Sequence, residues 1–177
     1  LIATKINGKY WMYWGDTDVF LATSDDLINW TPVEKAAGEE GVTGKHKKRY
    51  PDLKPIFGPR KNKFDSDLVE PGPAPIITGN GIWMIYNSRN AATENDSTLT
   101  YGTYSAGQIL FDSNDPTKVI ARSDAYFMTP EKDYEIEGQV DRVCFVEGLV
   151  HYRDKWFLYY GTADSKIAVA VCDKPLN

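Results

Sequence analysis

Three segments of the chain combine aromatic and β-branched residues in a pattern typical of β-strands. They cover residues 10–14, 82–86 and 156–160. Each follows a polar pair that favours a tight turn, namely Asn7-Gly8, Asn80-Gly81 and Arg153-Asp154. Their first residues stand 72 and 74 positions apart (82 − 10 and 156 − 82). One structural unit is therefore predicted to occur three times.

Each unit is predicted to continue into a second strand, over residues 19–24, 99–104 and 167–171. No segment shows a sustained helical period. Repeated antiparallel sheets of this kind predict an all-β fold, a β-propeller of which the chain supplies three four-stranded blades around a common axis. The interval exceeds the roughly 40 to 50 residues of common propeller repeats. We therefore expect long loops at 31–63 and 105–141.

Three blades do not close a propeller ring, which needs about four to eight. The chain is then part of a longer protein, or it oligomerises, or the repeats are miscounted. The first alternative is favoured because the sequence starts at Leu1-Ile2 without an initiator Met. We expect residues 1–177 to form part of one propeller domain whose upstream blades are missing.

An acidic, proline-rich stretch over residues 64–75 interrupts this pattern. It holds three acids, Asp65, Asp67 and Glu70, and then prolines at positions 71, 73 and 75. Alternating prolines fix φ and remove backbone donors, so the stretch is predicted to be extended and to arrive at the edge of a sheet. Carboxylates on such a segment are well placed for chemistry, although a solvated acidic loop is the alternative.

Composition narrows the classes of partner. The net charge is −5 and the pI is about 5.1, which disfavours nucleic acid. The basic cluster at residues 45–49 is interpreted as a solvated loop, and no apolar run reaches the roughly 18 residues of a membrane span. Five Trp and eleven Tyr suit a protein whose clefts stack on sugar rings. Cys144 and Cys172 are predicted to be buried thiols.

Short motifs follow one another along the chain at residues 5–10, 22–30, 64–66 with 71–73, 107–111, 115–120, 134–138 and 159–165. By these motifs and their order, essentially the whole chain resembles glycoside hydrolase family 130, the five-bladed β-propeller enzymes that act on β-mannosides by phosphorolysis or hydrolysis. The family's catalytic Asp, in an Asp-Pro-Arg motif of an earlier blade, has no match, and Pro59-Arg60 lacks the acid. The chain thus resembles the later blades, without the proton donor.

Four positions depart from the phosphorylases of this family. At the position of Leu68 those enzymes tend to have a basic residue, and at the position of Glu70 they have Gly. They tend to have His in place of Asn87 and a small residue or Cys in place of Glu147. Phosphate needs positive charge and donors, which these changes remove. The resemblance therefore implies an inverting hydrolase similar to β-1,2-mannosidases. A β-mannoside phosphorylase and a catalytically silent glycan-binding propeller are the alternatives.

Six residues are the candidate site. Glu70 and Glu147 are the candidate catalytic bases, Asp65 and Asp164 are candidates for binding sugar hydroxyls, and Tyr86 and Asn87 are expected to face the same axis. Glu147 lies in an apolar run, where a charge pays desolvation unless it is functional or paired, for example with Arg142. Asp164 is otherwise a turn residue.

These carboxylates are expected to converge on one cleft near the propeller axis. His46 and His151 form no cluster at metal-ligand spacing, so no metal and no cofactor are predicted. The expected partners are a mannoside oligosaccharide and the remaining blades of the same protein. The compartment, periplasm or cytoplasm of a bacterium, is left open.

Overall fold

A computed structural model describes residues 1–41 and 52–174. The basic cluster at 45–49, with His46, lies outside the described residues. The first sheet has the order β1-β2-β3-β4 and is antiparallel throughout. Its strands are β1 Ile2–Ile6, β2 Lys9–Trp14, β3 Phe20–Ser24 and β4 Thr31–Pro32.

The second sheet has five strands in the order β5-β7-β8-β9, with β6 also paired to β7. Its strands are β5 Leu68–Pro71, β6 Ile76–Thr78, β7 Gly81–Arg89, β8 Tyr104–Phe111 and β9 Val119–Arg122. The acidic stretch thus supplies β5 at the sheet edge, and the chain leaves the ladder through its remaining prolines before β6, as predicted.

A single helical turn, α1 Asp133–Ile136, precedes the third sheet. That sheet has the order β10-β11-β12 and is also antiparallel. Its strands are β10 Cys144–Tyr152, β11 Lys155–Thr162 and β12 Lys166–Cys172. The predicted all-β fold and its three aromatic strands are confirmed, because residues 10–14, 82–86 and 156–160 lie within β2, β7 and β11.

The strand counts differ from the prediction. Among the described residues, the three sheets have four, five and three strands, not four each. Residues 99–103 form a turn and a coil, so the second strand of the middle unit starts at Tyr104. The stretch 105–141, expected to be a loop, contains most of β8 and all of β9 and α1. Cys144 is buried as expected, whereas Cys172 is exposed.

Strand β7 packs against a different core on each face. Successive side chains of a strand point to opposite faces, so Met84 and Tyr86 join the core shared with the first sheet. Ile85 joins the core shared with the third sheet. Tyr13 of β2 stacks on Phe111 of β8, with ring centroids 4.6 Å apart. The middle sheet is therefore held between its neighbours as a propeller blade is.

Gly107 of β8 is required by this packing. It pairs with Tyr86 across the β7–β8 ladder, and a Cβ at this position would lie 2.4 Å from a carbon of the Tyr86 ring. We predict that Gly107→Ala lowers the free energy of unfolding of the full-length protein by about 1–3 kcal/mol, the usual cost of overpacking. Urea denaturation measures this change.

Gly161→Ala in β11 is the matched control, because the nearest atoms to its added Cβ lie 3.9 Å away, an ordinary contact. A loss of stability no greater in Gly107→Ala than in Gly161→Ala would contradict the packing described for Tyr86.

Candidate active site

One cleft collects side chains from the second and third sheets. Its volume is about 420 Å³, and it contains two of the predicted site residues, Glu70 and Asp164. Glu70 is half-buried in β5, and Asp164 is exposed in the turn between β11 and β12. The remaining lining residues are Arg89, Tyr104, Val140, Val143 and Phe145.

Asp164 reaches the cleft from the three-residue turn between the paired residues Thr162 and Lys166. Ala163 and Asp164 have φ of 45° and 50°, the left-handed pair of a tight hairpin. The segment after α1 packs on this turn, since Val140 N donates to Ala163 O at 3.3 Å. Gly138 permits the close approach, because a Cβ there would lie 2.2 Å from Ala163 O. The backbone of the turn that carries Asp164 is thus held by the segment packed against it.

Arg89 is the cation of the cleft. Its Nε donates to Asp67 Oδ2 at 2.6 Å, and its Nη1 donates to the Tyr104 hydroxyl at 3.4 Å. Partial burial raises the pKa of Tyr104, Glu70 adds to this increase and Arg89 opposes it. Tyr104 therefore remains a neutral hydroxyl, able to donate a hydrogen bond at neutral pH.

The cleft also has an aromatic wall. The rings of Tyr104 and Phe145 lie 5.9 Å apart, centroid to centroid, and are tilted by 56°. Tyr104 N donates to Arg142 O at 2.9 Å, which ties β8 to the segment that precedes β10. Aromatic faces beside carboxylates are surfaces on which a sugar ring can stack while its hydroxyls donate hydrogen bonds.

Glu147 follows Phe145 by two residues, the spacing that places side chains on one face of a strand. A β-bulge interrupts the β10–β11 register between Val146 and Gly148, and Glu147 is its extra residue. The Glu147 side chain is exposed. The desolvation expected from its apolar neighbours is therefore absent. Within residues 1–41 and 52–174, no ion pair joins it to Arg142.

Asp65 and Tyr86 lie away from this cleft, in the interior. Asp65 is fully buried and forms ion pairs with Arg60 at 2.8 Å and Arg122 at 2.5 Å. The Tyr86 hydroxyl donates to the same carboxylate at 2.8 Å. Burial raises the pKa of the Tyr86 hydroxyl to about 12. These contacts differ from the expected sugar-facing position, because protein groups occupy the Asp65 oxygens.

Asn87 is also buried, on the opposite face of β7 from Tyr86. Neighbouring strand residues cannot face the same side, so the expectation that both face one axis is wrong. The Asn87 amide accepts from Val146 N at 2.7 Å and donates to Val146 O at 3.0 Å. It therefore joins the second sheet to the third.

Sequence reasoning missed Arg89, Tyr104, Val140, Val143 and Phe145. The signal for Arg89 was present, since the alternation of β7 runs past Asn87 to residue 89. The others come from segments that were predicted to be loops or apolar strands, and tertiary packing brings them together.

Residues 1–41 and 52–174 contain no group of three or more His, Cys, Asp or Glu side chains that could hold a metal ion. In the same ranges, no helix is long and apolar enough to cross a membrane.

These sheets define part of a β-propeller, and its cleft combines carboxylates with an aromatic wall. The chain matches the family Glyco_hydro_130, described as β-1,4-mannooligosaccharide phosphorylase, over residues 1–176. It therefore belongs to glycoside hydrolase family 130, as its motifs indicated.

Relatives with described activities fall into two groups. A 1,2-β-oligomannan phosphorylase from Thermoanaerobacter sp. (strain X514) is 36% identical over 174 residues, which is 98% of this chain and 49% of that protein. The solved β-1,2-mannobiose phosphorylase from Listeria innocua, in complex with β-1,2-mannobiose, has 29% identity and a TM-score of 0.73, covering 97% of this chain and 42% of that one.

A second solved structure is more similar, with 46% identity and a TM-score of 0.87 over 98% of this chain and 45% of that one. It is described by the words "The GH130 family of mannoside phosphorylases contains glycoside hydrolases that target beta-1,2 mannosidic linkages in Candida mannan". The chain thus spans about half the length of the relatives it matches.

Glu135 of α1 connects the start of the helical turn to β11 through hydrogen bonds. It is 4% exposed, accepts from Glu131 N at 2.8 Å and Lys132 N at 2.9 Å, and accepts from the Tyr160 hydroxyl at 2.7 Å. Burial by itself raises the pKa of Glu135, but these hydrogen bonds outweigh it and the pKa lies below its ordinary value. The folded state therefore favours the carboxylate.

A group with a lowered folded pKa contributes stability above its unfolded pKa and loses it as pH falls through the folded pKa. We predict that Glu135→Gln lowers the free energy of unfolding at neutral pH by about 1.5–3 kcal/mol, the range for hydrogen bonds to a charged group. The difference from wild type should shrink as pH drops below the ordinary carboxyl range. Urea denaturation across pH measures it.

Glu137→Gln, at an exposed position one residue past α1, is the matched control. A Glu135→Gln deficit that stays constant from neutral pH into the acid range would contradict the role of the Glu135 charge.

Proposed function

We propose that the full-length protein containing this chain cleaves β-mannosides, with β-1,2-linked mannose as the first substrate to test. The observation that carries the proposal is the cleft in which Glu70, Asp164, Arg89 and Tyr104 surround a space of about 420 Å³. Carboxylates accept hydrogen bonds from sugar hydroxyls, and a neutral tyrosine donates one. The relatives that act on β-1,2 mannosides support the linkage.

Phosphate is the first candidate for the group that accepts the mannosyl unit. Several relatives are phosphorylases of β-mannosides, including one that is 36% identical. Arg89 adds support, because it places a guanidinium in the cleft where the sequence had indicated little positive charge. These observations favour phosphorolysis over the hydrolysis expected from the sequence.

Water is the second candidate. Glu70 in the cleft and Glu147 at the adjacent bulge are carboxylates that repel an anion and can instead deprotonate a water. Leu68, where phosphorylases of the family tend to have a basic residue, is buried. The 46% identical solved structure, described with hydrolases of β-1,2 linkages, supports the same acceptor.

The third sheet is proposed to pack against further blades of the same propeller. Strand β12 has no partner on its outer side among the described residues, and Ile167, Val169 and Val171 along it are 82%, 45% and 53% exposed. Tyr159 of β11 is 44% exposed. Apolar surface of this extent is typical of an interface. Residues 1–177 then form one part of a single propeller domain.

We predict that the full-length protein consumes β-1,2-mannobiose only when inorganic phosphate is present and accumulates mannose 1-phosphate. The products are separated by chromatography with and without phosphate. Release of free mannose at a rate independent of phosphate would contradict phosphorolysis and establish water as the acceptor. Binding of mannobiose by calorimetry with no product under either condition would leave a glycan-binding propeller.

The variants Glu70→Gln and Glu147→Gln test whether water or phosphate accepts the mannosyl unit. The amide keeps the shape of the side chain but cannot take a proton. If water is the acceptor, loss of the general base lowers kcat by about 10²- to 10⁴-fold. Under phosphorolysis we expect a change in kcat of about tenfold or less, below the contribution of a general base, because phosphate attacks without one. Initial rates at saturating mannobiose measure both.

A further inference from the structure

The Asn87 side chain occupies the junction between the two strands that carry the glutamates. Asn87 pairs with Glu70 in the β5–β7 ladder. Its amide also donates to Pro71 O at 3.5 Å, a long contact to the residue that follows Glu70. On its other side the amide bonds to Val146, the residue that precedes Glu147. One buried amide therefore contacts the neighbours of both glutamates.

The contact with Val146 reproduces a strand pairing. Val146 N donates to the Asn87 carbonyl oxygen at 2.7 Å, and the Asn87 amide nitrogen donates to Val146 O at 3.0 Å. A backbone peptide of an adjacent strand would offer the same acceptor and donor. Because β10 meets β11 on its other side, the Asn87 side chain stands where another strand would pair with β10.

A second, independent feature holds the same junction. Gly72 N donates to Ile85 O at 3.3 Å, and a Cβ on Gly72 would lie 3.1 Å from Val146 Cγ2 and 3.3 Å from Val146 O. The end of β5 thus passes close to Val146. The bulge at Glu147 starts at the next residue, so its position depends on where Val146 is held.

We propose that Asn87 is a positioning residue that sets the separation between Glu70, which lines the cleft, and Glu147 at the adjacent bulge. Its amide is 0% exposed and bonded to the backbone on both sides, so it acts through these main-chain segments and not by contact with sugar. The proposal rests on the proposed function in one respect, that both glutamates face the mannoside. A misplacement of about 1 Å in such a site can cost about 10²-fold in rate.

Asn87→Asp tests the proposal because it removes the donor and keeps the shape. At neutral pH a carboxylate would face Val146 O and repel it. Once protonated at lower pH, it can donate to that oxygen again. If water is the acceptor, we expect kcat of the full-length protein to fall about 10²-fold at neutral pH, because a general base is misplaced, with KM for β-1,2-mannobiose nearly unchanged. If phosphate is the acceptor, we expect kcat to change by about tenfold or less, below the contribution of a general base. The ratio of wild-type kcat to variant kcat should decrease towards one as pH falls.

Asn90→Asp is the matched control. Asn90 is also 0% exposed, and its amide holds the backbone of the following loop through Asp96 O at 3.1 Å and Leu99 O at 2.9 Å. It has the same chemistry without contact to either glutamate strand. We expect a loss of stability comparable to that of Asn87→Asp and a kcat within a few-fold of wild type.

Crystal structures of the wild-type, Asn87→Ala and Asn90→Ala proteins test positioning without any turnover. The distance between the Glu70 and Glu147 Cα atoms should change only in Asn87→Ala. An unchanged distance, or a raised KM with unaltered kcat in Asn87→Asp, would overturn the proposal. If the wild-type protein turns over no mannoside while the Cα distance shifts, the proposed function fails and the positioning role stands.

Discussion

Burial of both faces of strand β7 is the constraint on which the rest of the structure depends. Even-numbered residues such as Met84 and Tyr86 enter the core with the first sheet, and Ile85 enters the core with the third. A strand buried on both sides cannot shift its register without exchanging its two sets of side chains. The middle sheet therefore fixes the positions of the first and third sheets relative to β7. Side chains from different sheets are thereby held next to one another.

The polar residues of β7 follow the same division. On one face, Tyr86 shares the Asp65 carboxylate with two guanidiniums, and on the other, Asn87 holds β10. Buried polar groups need partners, and unsatisfied ones cost about 1–3 kcal/mol each. The two networks are thus specific as well as stabilising, because each accepts only one arrangement of the strands around it.

Local pattern was sufficient for much of the fold and insufficient for the site. The turn at Asn7-Gly8, with φ of 52° and 81°, and the three aromatic strands follow from short-range signals. The predicted strand over residues 99–104 was wrong in the middle unit, because the chain turns at Gly102, which has φ of 82°. Of the six expected site residues, Glu70 and Asp164 reach one cleft. The alternation of side chains along β7 places Tyr86 and Asn87 on opposite faces of the strand. A β-bulge leaves Glu147 exposed, and the sequence carries no local signal for that bulge.

The left-handed turn at Ala163 and Asp164 limits which residues can occupy the cleft there. Asp, Asn and Gly tolerate this backbone conformation, while β-branched residues do not. A single replacement of Asp164 by Asn or Gly would remove one negative charge from the cleft and leave the hairpin intact. The charge of the site can therefore diverge between related proteins at this position while the scaffold around it stays the same.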